Sequence, residues 1–185
     1  MDRRITDLDS PEFAALFTGF EHTAYRLERL PWYGVGYEDE SFRAWRAAAP
    51  VRRDPARDAW TGMVAAAVAA GKIFQRVHLV GGLTEYLRYE FEHWYSANVA
   101  AGDDVRIWPE PSGGWPEGLP RWDYWLFDSR NLWVMHYDEG YRFLFAEQVD
   151  DPSVVVLCNY WRDAALHRAI PYYDYMRQAE ALAPS

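Results

Sequence analysis

A glutamate inside an aromatic stripe is the first residue that asks for chemistry. Tyr86, Glu90 and Trp94 recur at four-residue spacing, in a run where Leu83, Leu87, Phe91 and Tyr95 also fall at helical intervals. A carboxylate on such a seam is either paired or functional, because burying an unpaired charge is costly. Arg76 and Arg106 lie in the strand-like stretches that flank the run, Arg76-Val-His-Leu-Val80 and Asp103-Asp-Val-Arg-Ile-Trp108. With Tyr86 and Arg88 they form a candidate ligand site in which two arginines hold an anion or orient Glu90 as a base. The competing reading is a buried ion-pair network that fastens helix to sheet. The sequence leaves both open.

Other constellations are weaker. His136 and Asp138 share a face if their stretch is a strand, and His167 could complete an iron(II) facial triad, but the pattern is short and common. Glu90-x-x-His93 resembles half of a di-iron helix motif whose second copy is missing. No metal and no cofactor are therefore expected. Asp123 follows Trp122 at the end of a Trp-rich loop and could face a cleft, so Trp122, Asp123 and His136 join the candidate ligand-binding residues. Asp128 starts a hairpin turn through its side chain. Cys158, the single cysteine, falls on an apolar helical stripe and reads as inert core. Gly81-Gly82 precedes a helix start that could hold an anion, without the rest of a dinucleotide fingerprint. No Ser-His-Asp order and no Walker signature is present.

These residues need a scaffold, and the chain of 185 residues suits one domain, 1–185, with half its residues hydrophobic. A net charge of −9 makes direct nucleic-acid binding an unfavourable expectation. No run approaches the roughly 18 apolar residues of a membrane span, and the start lacks an apolar leader, so a cytoplasmic location is expected. Of the 19 basic residues only Lys72 is a lysine. Aromatics make up 17%, with ten Trp and thirteen Tyr, which fits either pockets and interfaces or a bulky core.

Capping and periodicity place the elements. Asp9-Ser10-Pro11-Glu12 opens a helix over Phe13, Leu16, Phe17 and Phe20. Thr23 to Leu30 alternates as a half-buried strand, with Arg26 and Glu28 sharing a face so that they pair or line a surface. Helices follow at 38–49 and 56–70, with connectors at 31–36 and 52–55. The strand–helix–strand unit comes next, its helix running from Thr84 to Ala101. Residues 109–122 form a Pro/Gly/Trp-rich loop, a candidate lid. Tyr124–Phe127 and Leu132–Tyr137 form an antiparallel hairpin, a further strand starts at Tyr141, and Asp150-Asp-Pro caps a closing helix with the stripe Val154, Leu157, Cys158, Trp161 and Ala165. This helix is expected to end by Pro171, with a frayed tail from Gln178. The expected fold is a single α/β domain with a mixed sheet flanked by helices.

Several blocks resemble the signatures of an actinobacterial family, domain of unknown function 6879: Thr84-Glu-Tyr-Leu-Arg-Tyr-Glu90, Ala101-Gly-Asp-Asp-Val-Arg106, Trp122-Asp-Tyr-Trp-Leu-Phe-Asp128 and Asp151-Pro152. The amino-terminal Phe17-x-x-Phe20…Arg26-Leu-Glu28 fits as well. The resemblance implies no established activity; members look to be encoded near helix-turn-helix regulators, which implies a regulatory or accessory role. The architecture is also similar to half of a phospholipase-D-like fold. That fold's His-x-Lys and Asp block is not matched, since His136 is followed by Tyr137 and Asp138 with no lysine, which implies a non-catalytic version or a reused pocket. The expectation is a non-enzymatic module that binds a protein partner, such as a helix-turn-helix regulator, or a small ligand. The alternative is a small enzyme of secondary metabolism acting on an aromatic or anionic substrate between Glu90 and the Trp115–Trp122 loop. A homodimer is compatible with either.

Overall fold

Short polar–apolar alternation builds the sheet, and two β-α-β crossovers give it a parallel centre. The computed structural model describes residues 3–34, 39–50, 54–110 and 114–181, with the side chains at 39, 180 and 181 left aside. The expected turn portion at 35–36, helix start at 38, connector portion at 52–53, loop portion at 111–113 and tail beyond 181 lie outside the described residues. In chain order the elements are β1 (Arg4–Ile5), α1 (Pro11–Gly19), β2 (Thr23–Glu28), α2 (Asp39–Arg46), α3 (Pro55–Ala69) and β3 (Ile73–Val80). A continuous helical stretch follows as α4 (Glu85–Glu90), a π-helical turn (Phe91–Tyr95) and α5 (Ser96–Ala100). Then come β4 (Asp104–Pro109), β5 (Asp123–Phe127), β6 (Asn131–Tyr137), β7 (Phe143–Val149), α6 (Pro152–Arg168), β8 (Ile170–Pro171) and α7 (Tyr172–Ala181).

Eight strands form one sheet in the order β1-β7-β6-β5-β2-β3-β4-β8. β2, β3 and β4 run parallel, and every other pairing is antiparallel. This is the expected mixed α/β architecture. Helix starts carry the caps their sequences call for: Ser10 accepts from the Phe13 amide, Asp54 from Ala56 and Arg57, Thr84 from Leu87, and Asp151 from Ser153. Asp128 takes the left-handed conformation at φ 51 and accepts the amides of Glu21, His22 and Thr23 at 2.9, 2.7 and 3.0 Å. Its side chain therefore ties the hairpin turn to the start of β2, where the sequence pattern assigned it to its own turn.

Helices cover both faces of the sheet centre. On one face α6 packs over Tyr25, Leu27, Val77, Leu79, Leu126, Leu132 and Val134. On the other, α1 and α3 cover an aromatic core built on Phe17, Phe74, Trp125, Phe127 and Trp133. The α4–α5 stretch covers a second core that includes Leu87, Tyr89, Phe91, Val105 and Ile107. Two details depart from the sequence pattern. Leu157, expected inside the α6 stripe, is exposed. The chain also continues past Pro171 as α7 instead of fraying, anchored where the Tyr172 hydroxyl donates to the Phe91 carbonyl at 2.7 Å. Among the described residues no helix is long and apolar enough to cross a membrane.

Candidate functional site

Between the two cores on the α1–α3 face, the sheet carries polar side chains. β2 contributes Arg26 and Glu28, β3 contributes Arg76 and His78, and β5 contributes Asp123, all of them buried. The parallel register sets Arg26 beside Arg76 and Glu28 beside His78. Two guanidiniums on adjacent strands repel one another, and Glu28 answers both. Its Oε1 accepts from Arg26 Nε at 3.3 Å and its Oε2 from Arg76 Nη1 at 2.8 Å. The Tyr95 hydroxyl donates to the same Oε2 at 2.7 Å. Burial alone would raise the Glu28 carboxyl; Arg76 and then Arg26 outweigh it and hold the group down at about 2. Trp125, next along the sheet, lies against both guanidinium planes at 5.5 and 5.7 Å.

The π-helical turn decides which helix residues reach this patch. An extra residue in the turn carries the Ser96 amide back to the Phe91 carbonyl, five positions earlier. The face shared by Tyr86 and Glu90 in α4 is continued after the turn by Tyr95 and Asn98, which line the same cleft. Tyr95 thus comes to stand over Glu28. The Tyr95 hydroxyl also lies 2.8 Å from His78 Nδ1, while His78 Nε2 meets the Leu30 carbonyl at 3.0 Å. The carbonyl can only accept, so the imidazole proton sits on Nε2, and Glu28 and His78 Nδ1 both face the single Tyr95 proton. Burial pushes His78 down to about 4, against the pull of Glu28, so the ring is neutral.

A second polar knot flanks the first. Asp123 accepts from the Tyr33 hydroxyl at 2.5 Å and from Arg26 Nη2 at 3.4 Å, and Arg29 Nε lies 3.5 Å away. Tyr137 accepts from Arg26 Nη2 at 3.0 Å. Asp103 sits 3.6 Å from Arg76 Nε. Burial pushes both aspartates up to about 6, with Arg26 opposing at Asp123 and Arg76 at Asp103.

Above these groups opens a cleft of about 730 Å³. Arg26, Glu28, Arg76 and Trp125 line its sheet side, Trp60 and Met63 of α3 one wall, and Tyr86, Glu90, Trp94, Tyr95 and Asn98 the other. Tyr33, Tyr137, Tyr141 and Phe143 border it as well.

The sequence-derived set divides on this geometry. Arg76, Tyr86 and Glu90 line the cleft, and Asp123 fixes Arg26 beside it. Glu90 is buried and approaches neutral His78 Nδ1 at 4.0 Å, so that contact is no ion pair. Arg106 does not join: odd–even alternation turns it to the opposite face, where it pairs with Asp104 and donates to the Leu166 carbonyl. The carboxylate between two arginines is Glu28, not Glu90, and its partners are Arg26 and Arg76. Arg88 is exposed. His136 stacks on Phe145 and hydrogen-bonds Glu147 at 3.0 Å, while Asp138 accepts the Gly140 and Arg142 amides within its own turn.

Trp122 lies against Cys158. Leu119 belongs to the core under α6, Trp115 packs on it, and Gly118 meets Trp161 of α6. The described part of the 109–122 loop therefore packs on the α6 face and is no lid for Glu90. The single lysine, Lys72, donates to the Phe20 carbonyl.

Arg26, Glu28, Tyr33, His78, Tyr95 and Asn98 were the residues that sequence reasoning passed over as a site. The available signal was the shared face of Arg26 and Glu28, continued one strand over by Arg76 and His78.

A sequence profile for a domain of unknown function (DUF6879) matches residues 11–177. The chain belongs to the DUF6879 family. No curated protein matches this DUF6879 chain. Among solved structures it is similar to Nuc from Salmonella typhimurium, a phospholipase D family member, with TM-score 0.52 and 6% identity over 93% of this chain and 97% of that one. It is also similar to TrmBL2, an archaeal chromatin protein described with a novel mode of DNA binding, with TM-score 0.50 and 8% identity over 92% of this chain. The chain spans 55% of TrmBL2, about half its length. NucT from Helicobacter pylori aligns with TM-score 0.47 and 8% identity over 92% of this chain and 98% of that one. The likeness to Nuc and TrmBL2 is one of fold, and the likeness to Nuc bears out the phospholipase-D-like architecture.

Proposed function

We propose that this DUF6879 chain is an accessory module that binds a small ligand in the cleft over Glu28. The observation that carries the reading is the cleft itself, about 730 Å³ and walled by aromatics, with buried charged residues on its sheet side. That volume lies in the roughly 300–1,000 Å³ range of small-molecule sites. Binding is favoured over catalysis because three acid–base groups beside the cleft, Glu28, Asp123 and His78, are committed elsewhere. Glu28 is held at about 2 by its arginines, Asp123 is engaged by Tyr33, and His78 is neutral behind Tyr95. The separation of Glu90 from the Trp115–Trp122 loop weighs against an enzyme built on those two features. A net charge of −9 weighs against a nucleic-acid partner, and TrmBL2 shares only fold with this chain.

A protein-partner reading has its own support in the outer surface of α6, where Val156, Leu157 and Tyr160 are exposed. A helix-turn-helix regulator is the partner that family resemblance implies, and a regulatory role would couple such a partner to the ligand.

The small-ligand reading is tested by ligand-detected NMR with a library of aromatic fragments, on the natural chain and on Ala59→Trp. Ala59 lines the cleft from an exposed position of α3, so the added indole takes up part of it. Hits that disappear in the variant support the reading. A library without hits, or hits indifferent to Ala59→Trp, overturns it.

A further inference from the structure

Three polar groups at the cleft have no protein partner among the described residues. Arg26 is 4% exposed and spends Nε on Glu28 and Nη2 on Asp123 and Tyr137, yet its Nη1 makes no hydrogen bond. Arg76 spends Nη1 on Glu28, and its Nε, 3.6 Å from Asp103, makes no hydrogen bond. Asn98 is 2% exposed, lines the opposite wall, and has no partner for Oδ1. A buried polar group left unpaired costs about 1–3 kcal/mol. Such groups favour a ligand that supplies their partners.

We propose that the cleft takes a planar aromatic acid, its carboxylate set against Arg26 and Arg76 and its ring against the tryptophans. This rests on the reading of the cleft as a ligand site. The anionic head follows from which atoms are left over. Both oxygens of Glu28 are already taken, Oε1 by Arg26 and Oε2 by Arg76 and Tyr95. The cross-strand pair of guanidiniums therefore has N–H groups to offer, and planar guanidinium forks match planar carboxylates. The ring follows from the walls: Trp60, Tyr86, Trp94, Trp125, Tyr137 and Phe143 surround the same space. Asn98 sits across from the arginines, placed to bond a ring hydroxyl or N–H.

The test is a calorimetric titration of the natural chain with four matched probes: 2-naphthoate, 2-naphthamide, 2-naphthylmethylamine and octanoate. The expected result is that 2-naphthoate binds at least ten-fold tighter than each of the others. Asn98→Asp sets a like charge across the cleft and is expected to weaken 2-naphthoate about ten-fold. If the amide or the amine binds as well as the acid, the ligand class is overturned and the cleft reading stands. If octanoate matches 2-naphthoate, the aromatic requirement is overturned. If no aromatic probe binds, both the ligand class and the cleft reading fall.

Discussion

Arg26 and Arg76 stand side by side on adjacent parallel strands, and one carboxylate, Glu28, takes a hydrogen bond from each. Two buried cations at neighbouring sheet positions are tolerable only with that anion between them, because an uncompensated buried charge costs far more than the pair contributes. Glu28→Gln should accordingly destabilise the fold by about 3–5 kcal/mol. Urea unfolding followed by circular dichroism would read this as a lower midpoint at unchanged slope. A loss under 1 kcal/mol would mean that the arginines find other anions.

Tyr95 reaches Glu28 only because the π-helical turn advances the helix by one residue. Its hydroxyl bonds a charged oxygen, an interaction worth about 1.5–3 kcal/mol. Tyr95→Phe keeps the ring and removes the bond, so a stability loss of that size is the expected outcome in the same assay. Removing one residue from Phe91–Tyr95 should cost more, because it swings Glu90 and Tyr86 out of phase with Tyr95 and Asn98.

His78 gives the fold an acid sensitivity of definite sign. Its ordinary value is near 6.5 and burial lowers it to about 4. Between those values the unfolded chain binds a proton that the folded chain does not. The stability associated with neutral His78 is therefore present above about 6.5 and lost as pH falls toward 4, on the order of 3 kcal/mol in all. Asp103 and Asp123, raised to about 6, act in the opposite sense over an overlapping window. The comparison that isolates His78 is natural chain against His78→Gln: the natural chain should lose stability relative to the variant between pH 7 and pH 4. A pH-independent gap would place the proton elsewhere.

Those same aspartates set the pH dependence of anion binding. As pH falls from 8 to 5.5, Asp103 and Asp123 take up protons, while Glu28, held at about 2, stays ionised and His78, at about 4, stays neutral. Negative charge behind Arg76 and Arg26 is withdrawn, so 2-naphthoate should bind several-fold tighter at pH 5.5 than at pH 8. Calorimetry at the two values checks this; weaker binding at the lower pH would contradict it.

Asp128 is a tie that the hairpin pattern alone does not reveal. Its carboxylate accepts three amides at the α1–β2 junction, and those bonds, acting against burial, hold it below the ordinary aspartate value. Asp128→Gly preserves the left-handed backbone at φ 51 and deletes the side chain. A loss of about 1–2 kcal/mol is expected, with faster amide exchange at Glu21, His22 and Thr23.

Local signals carried much of the fold. Caps at Ser10 and Asp151 marked helix starts, and alternation in 124–137 marked the hairpin. The site was less legible for two physical reasons. Alternation of Arg26 and Glu28 with Tyr25 and Leu27 reads as a strand with one wet face, but helices cover both faces of β2, and the polar residues turn inward to pair with each other. The π-helical turn left no mark in the apolar spacing, so Tyr95 read as core, while Arg106 read as a partner for Glu90 because the register that sets Val105, not Arg106, beside Arg76 is not written in the sequence. Glu90 and Arg76 do share the cleft, but the carboxylate that Arg76 serves comes from β2. Leu157 shows the same limit on α6: helical spacing placed it inside, and the structure leaves it exposed.

The indole N–H signals of the ten tryptophans test the central claim most directly. In a titration with 2-naphthoate followed by two-dimensional 1H–15N NMR, Trp60, Trp94 and Trp125 should shift together and saturate. Trp115, Trp122 and Trp161, on the α6 side, should stay in place. Saturable shifts confined to the α6-side tryptophans, or no shift at Trp60, Trp94 and Trp125, would contradict a ligand site over Glu28.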